Sequence, residues 1–283
     1  MKKSTLIHLR FPFSYFLLPV FLFAAAIIEK FEFYECLAVF FILHFLLYPA
    51  SNGYNSYYDK DEGSIGGVKN PPRVTRELHL VSWLLDLLAI GFGLWFGWAF
   101  ALMLFVYGLV SKAYSHPLIR LKKRPILGWL TAGVFQGYFT FLMVVTALTD
   151  IQQIFDPKIQ WAATLSTLLL FGSYPMTQVY QHDEDSRRGD ITISLILGVL
   201  GTFHFTAICF TISMALFMGF FSVYFSNGFA LAFVACLSPT LLFFVNWYLN
   251  VRESKDKANY ENTMRLNLIS STCLNAFFIW MII

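Results

Sequence analysis

The chain has 283 residues, of which 57% are hydrophobic, 19% aromatic and only 13% charged. A soluble domain carries about 25% charged residues, so the composition excludes an ordinary aqueous globular fold and points to a protein solvated by lipid. The net charge of +3 is spread over loops and gives no reason to propose nucleic-acid binding.

A helix needs about 20 apolar residues to cross the hydrocarbon core. Runs of that order lie near 11–29, 33–50, 78–94, 96–111, 126–148, 159–177, 198–222, 229–249 and 266–283. They predict an all-α, multispan membrane bundle of nine transmembrane helices, forming one membrane-embedded domain over 1–283. Ala24, Ala25 and Ala26 resemble a signal-cleavage site, but the apolar run continues past them, which predicts an uncleaved first helix. The only break between the third and fourth runs is the Gly-rich stretch from Gly91 to Gly97.

Charge placement tests the count. With nine spans and the N-terminus inside, every Lys and Arg except Lys30 and Lys158 falls on the inner side. Basic residues mark cytoplasmic loops, so the split supports both orientation and parity, with the C-terminus outside. Merging the third and fourth spans would scatter the basic loops across both faces.

Two polar clusters interrupt the apolar pattern. The second run leads into Asn52, Asn55, Asp59, Asp61, Glu62 and Gly63. The sixth leads into Gln178, Gln181, His182, Asp183, Glu184, Asp185, Arg187, Arg188, Gly189 and Asp190. Carboxylates beside hydrocarbon are costly, which makes both clusters functional candidates. Carboxylate and amide oxygens are also the donors a hard cation prefers, above all Mg2+ shared with a phosphate ligand. If the second span continues as a helix, Asn52, Asn55, Asp59 and Glu62 share one stripe, with His44 and Tyr48 deeper and Asp61 turned elsewhere. The same spacing places Tyr174, Gln178, Gln181, Asp185 and Arg188 on one stripe of the sixth span. The separation of the two clusters suggests two similar halves facing each other across a cavity.

Within the spans, Asp86 is expensive in lipid and needs a partner. Gln136, His204 and Asn246 read as interhelical hydrogen-bonding groups, and His44 as a group that could meet an acceptor. The four cysteines, Cys36, Cys209, Cys236 and Cys273, read as small core residues. A transporter would place its charged groups near the midplane; here they sit at one membrane face, which disfavours that class.

These residues resemble the UbiA-type intramembrane prenyltransferases, a family with nine helices and acidic motifs at the cytoplasmic ends of the second and sixth. Asn55 and Asp59 are similar to the first half of its N-x-x-x-D-x-x-x-D motif, with Gly63 where the last Asp would stand. The menaquinone-type branch has Gly there and Asp two residues later; here that later residue is Ile65, and Asp61 and Glu62 could substitute. Asp185, Gly189 and Thr192 resemble the family's D-x-x-x-G-x-x-T stretch. The first Asp of its second motif, D-x-x-x-D, falls at Gln181, whose carbonyl oxygen can coordinate but brings no charge, and Asp183 and Glu184 could compensate. His8, Arg10 and Pro12, the stretch from Lys69 to Arg73, and the stretch from Tyr114 to Gly128 are similar to the family's other basic segments.

The resemblance implies transfer of an isoprenyl chain from a prenyl diphosphate to an aromatic, quinone-precursor-like or lipid acceptor within the membrane. It implies Mg2+ held by Asn55, Asp59, Asp185, Asp183, Glu62 and Gln181. It implies diphosphate contacts from Lys69, Arg120, Lys122, Lys123, Arg10, Arg73 and Asn52, and a role in catalysis for Asp59, Asp185 and Tyr114. The expected setting is a bacterial inner membrane with the site facing the cytoplasm. The altered motifs keep one alternative open: a non-catalytic polyprenyl-diphosphate binder, or a lipid carrier of the same fold.

Overall fold

The computed structural model describes residues 1–28 and 30–283. Its helices are α1 (Lys3–Leu9), α2 (Leu18–Ile27), α3 (Phe33–Asp59), α4 (Arg76–Phe96), α5 (Trp98–Ser115), α6 (Pro125–Leu148), α7 (Pro157–Met176), α8 (His182–Arg188), α9 (Ile193–Tyr224), α10 (Asn227–Glu253) and α11 (Tyr260–Ile282). Among the described residues, seven helices are long and apolar enough to span a bilayer. The segments Lys3–Phe16 and Leu18–Ile27, bent by 43°, make an eighth if taken together. The expected end of the first span at Glu29 lies outside the described residues.

The expected sixth span corresponds to α7, which has 20 residues. Gln160, Ser166, Thr167, Ser173 and Tyr174 leave it less apolar than its neighbours. It can carry that polarity because α6 and α9 pack along it and shield it from lipid. The outward face of the bundle carries large exposed apolar side chains, including Leu80, Leu87, Ile208, Leu241 and Leu242. A surface of this kind requires lipid around it, and the chain is an integral membrane protein.

The third and fourth expected spans are separate helices. Gly97, at φ 110°, makes the turn between α4 and α5 in a conformation that only glycine adopts freely. The hairpin is closed by an ion pair between buried Asp86 of α4 and buried Lys112 of α5. The Lys112 ammonium also sits over the rings of Trp83 at 4.5 Å and Tyr54 at 5.1 Å. The partner that Asp86 needs is therefore a lysine expected in a loop, now withdrawn into the helix.

Two helices contain π turns, at Ile42–Leu47 in α3 and Phe135–Phe139 in α6. Such bulges release backbone groups from the regular ladder. In α6 the Tyr138 amide donates instead to Thr167 Oγ1 of α7 at 2.9 Å. The bulge holds Gln136 against an internal cavity.

Contacts between distant segments collect at one end of the bundle. Lys69 pairs with Glu261, Arg120 with Asp190, and the Lys2 amide with Glu77. Both polar clusters lie at that end. At the other, Lys158 sits over the Phe225 ring.

Candidate functional site

Helix α3 carries the first cluster only as far as Asp59. Lys60 then adopts a left-handed conformation at φ 51° and ends the helix. The expected stripe therefore stops short of Glu62. The chain turns so that Asp61 lines the cavity and Glu62 is exposed, the reverse of what a continuing helix would give. The second stripe is also broken. Helix α7 ends at Met176, a turn follows, and α8 begins at His182. Tyr174, Gln178, Gln181, Asp185 and Arg188 nevertheless all line one cavity, because the turn brings α8 back over it.

This mouth cavity, of about 200 Å³, lies between the two clusters. Asp59 and Asp185 face it from opposite halves, 8% and 5% exposed. The Asn55 amide donates to Asp59 Oδ2 and to Ser115 Oγ, each at 2.8 Å, and so fixes the carboxylate. Lys122 pairs with Asp59, and Arg120 Nη2 lies 3.5 Å from it. Arg188 joins Asp61 to Asp185, reaching the latter at 2.9 Å. Gly189 in a left-handed turn caps α8 and folds the chain back, so that the Asp190 amide donates to the Asp185 carbonyl at 2.9 Å. Asp190 then accepts both Arg120 nitrogens at 2.7 and 2.8 Å.

Arg10 is the exception in this network. It is buried, and its Nη2 donates to the Asn52 carbonyl at 3.2 Å, but no carboxylate pairs with it among the described residues. The hydroxyls of Tyr114 and Tyr174 are hydrogen-bonded to each other beside the cavity. Below lies a second hollow of about 580 Å³, lined mainly by apolar groups such as Leu169, Met214, Phe217, Leu237 and Leu274, with no charged side chain among the described residues that line it. The two share Phe13, Asn52, Tyr107, Gln136 and Tyr174 as a neck.

The structure thus brings together Arg10, Asn52, Asn55, Asp59, Tyr114, Lys122, Gln181 and Asp185, with Arg120 bonded to their rim. Lys69, Arg73, Lys123, Glu62 and Asp183 are exposed and do not line the cavity. Lys69 is engaged by Glu261. His44 lines neither cavity; it is packed between the rings of Phe40 and Tyr48. His204 bonds to Tyr248 at 2.8 Å, the interhelical role its position suggests. Asp61, Tyr174, Arg188 and Asp190 complete the site. The sequence put Tyr174 and Arg188 on the right stripe and Asp61 and Asp190 in the clusters, but placed none of them among the expected Mg2+ ligands or diphosphate contacts. Their partners lie on other segments, and only the helix-stopping Gly189 hinted that Asp190 turns inward.

Electrostatics follow from this crowding. Burial pushes the Asp185 carboxyl up to about 7, against the pull of Lys122 and with the push of Asp190 and Asp59. Burial also raises Asp190, but the hydrogen bond from Arg120 and the charges of Lys122, Arg120 and Arg188 outweigh it and hold that carboxyl below its usual range. Among the described residues, no three His, Cys, Asp or Glu side chains converge as a metal cage. The donor set fits a different mode. Mg2+ is usually held by one or two carboxylates plus substrate phosphates, and here single carboxylates face each other, with Asp59 Oδ1 buried and accepting no hydrogen bond.

The UbiA prenyltransferase family model matches residues 16–269. No curated protein sequence matches the chain. Among solved structures, the fold is similar to a UbiA homologue from Archaeoglobus fulgidus bound to DMAPP and Mg2+. The TM-score is 0.70 at 16% identity, covering 99% of each chain. It is similar to the apo UbiA homologue from Aeropyrum pernix K1, with a TM-score of 0.71 at 16% identity, over 95% of this chain and 98% of that one. It also resembles a digeranylgeranylglyceryl phosphate synthase, with a TM-score of 0.63 at 16% identity, over 99% and 98% of the two chains.

Proposed function

The chain belongs to the UbiA prenyltransferase family, and on that premise we propose that it transfers an isoprenyl chain from a prenyl diphosphate to an electron-rich aromatic or lipid acceptor inside the membrane. The observation that carries the reading is the junction of two unlike cavities: a mouth lined by paired charges opens directly onto an uncharged hollow. A prenyl diphosphate has that same division between an anionic head and an apolar tail.

Asp59 and Asp185, with the Asn55 oxygen, would hold Mg2+ between the two halves, and Gln181 lies within the same rim. When bound there, Mg2+ supplies charge neutralisation to the departing diphosphate. Arg10, which no carboxylate engages among the described residues, offers its guanidinium to a phosphate oxygen without breaking an existing pair. Lys122 and Arg188 can exchange a carboxylate for a phosphate, which places positive charge where the leaving group gathers its negative charge. Breakage of the allylic C–O bond sends its electron pair to the diphosphate. The acceptor then supplies the pair that forms the new bond and gives up the proton of that atom, which the released diphosphate can take. Tyr174 stands at the neck and Tyr114, bonded to it, on the mouth side, where the electron-rich faces of their rings can steady the allylic cation. The apolar hollow keeps water from it. The distribution of Lys and Arg supports a cytoplasmic orientation for the cluster end, and the setting we propose is a bacterial inner membrane.

The test is release of inorganic diphosphate from dimethylallyl, geranyl and geranylgeranyl diphosphate by purified protein supplied with membrane lipid extract. Mg2+-dependent release that rises with the extract supports prenyl transfer. Tight Mg2+-dependent binding with no release from any of the three would instead support a non-catalytic binder.

A further inference from the structure

The positions at which the chain departs from the family pattern meet one another in space. Gln181, Glu184 and Arg188 are spaced so that they fall on one face of the turn of α8. Each grips the segment that follows α3. The Gln181 amide donates to the Ser64 carbonyl at 3.1 Å. Glu184 Oε1 accepts from the Glu62 amide at 2.9 Å. Arg188 pairs with Asp61. The contacts run in opposite order along the two segments, as in a zipper. Ser64 O can only accept, so the amide nitrogen of Gln181 must be the end that faces it.

Glycine at 63 makes the approach possible. A Cβ there would meet Glu184 Oε2 at 2.7 Å, and Glu184 is tethered by its bond to Glu62. Ile65, where the menaquinone-type branch resembled above has a carboxylate, is 2% exposed and lines the mouth cavity. Ile65 and Val68 close a two-way backbone bridge at 3.0 and 2.8 Å, and Gly66 rests on the Phe13 ring.

We propose that Gln181 is a positioning residue that zips residues 61–68 to α8 as a strap over the mouth of the cavity, with Ile65 as an apolar wall against the bound diphosphate. The last part rests on the mouth being the diphosphate site; the strap itself does not. Gly63, Ile65 and Gln181 then belong to one contact system. The amide that stands in for the second motif's first carboxylate orders the loop that has lost the first motif's last one.

Hydrogen exchange of the 61–68 peptide, measured by mass spectrometry on the full-length protein in nanodiscs, tests this without any substrate. Gln181→Met keeps the length of the side chain and removes its donor. It should speed exchange across 61–68 by about fivefold, the order expected for one lost hydrogen bond, while leaving α9 and α10 unchanged. Glu184→Ala should do the same from the neighbouring rung. Gln181→Glu and Gly63→Asp bring the chain closer to the family pattern, yet each should open the strap. Wild-type exchange in both Gln181→Met and Glu184→Ala would overturn the proposal. So would a Gln181→Glu variant that keeps the strap protected and binds Mg2+ more tightly by calorimetry, because Gln181 would then be acting as a metal ligand. A protein that releases no diphosphate leaves this test intact, so failure of the strap and failure of the prenyl-transfer reading are told apart.

Discussion

Arg120 and Asp190 lie 70 residues apart in the chain and form a two-point guanidinium–carboxylate pair at 2.7 and 2.8 Å, with Asp190 only 1% exposed. The pair staples the loop between α5 and α6 to the segment after α8. It thereby carries Lys122 over Asp59, so that a contact between two loops sets the charge balance at the mouth.

Removing one member of such a pair leaves the other buried without its counter-charge, at a cost of about 3 kcal/mol. Asp190→Ala should show that loss in a denaturant titration in micelles, whereas exposed Asp183→Ala should change stability little. The pH dependence has a definite sign. The folded-state carboxyl of Asp190 is held below its usual range, so its contribution is full above the ordinary Asp range. It is lost as the pH falls through the depressed value.

Asp185, raised to about 7, predicts a different pH effect. At the proposed Mg2+ site the cation would bind the ionised carboxylate, so protons would compete with it below that value. Affinity for Mg2+ should fall by roughly tenfold per pH unit below 7 and level off above it. Calorimetry in buffers of different ionisation enthalpy should also detect proton release on binding near pH 7. Asp185→Asn should abolish both the pH dependence and the proton release.

The Asp86–Lys112 pair is a structural element inside the α4–α5 hairpin. Asp86→Ala should destabilise the protein by about 3–5 kcal/mol, because a buried ammonium loses its counter-ion. The double variant Asp86→Leu with Lys112→Met should recover most of that loss. Unfolding in a detergent titration separates the cases, and a double variant as weak as the single would contradict this account.

Thr167 ties α7 to the π turn of α6 by accepting from the Tyr138 amide and donating to the Gly133 carbonyl at 3.1 Å. Thr167→Val keeps the shape and orphans a backbone N–H, which costs about 1–3 kcal/mol. The same variant should loosen the seat of Gln136 at the neck. Amide exchange at Tyr138 should report that loosening before global unfolding does.

Much of this architecture was readable in the chain, for a physical reason. Apolar runs long enough to cross lipid have few alternative structures, and Asn55, Asp59 and Asp185 were visible because each stands at the polar end of such a run. The inversion of Asp61 and Glu62 was not readable, since it hangs on Lys60 entering a left-handed turn that its side chain does not announce. Lys112 looked like a loop residue because its partner, Asp86, belongs to another helix. The roles of Arg188 and Asp190 depend on contacts that no local periodicity encodes. The polarity of α7 made sense only once α6 and α9 were seen to cover it.

We propose that Asp59 and Asp185, one from each half, act together on a Mg2+-bound prenyl diphosphate. The most direct measurement is Mg2+-dependent diphosphate release by Asp59→Ala, Asp185→Ala, Glu62→Ala and Asp183→Ala, each first shown to be folded by its thermal transition. The first two should lose about a hundredfold or more. The Glu62 and Asp183 variants should change within about twofold, because both residues are exposed and lie outside the cavity. Near-normal release by Asp59→Ala or Asp185→Ala, at any Mg2+ concentration, would contradict the proposal.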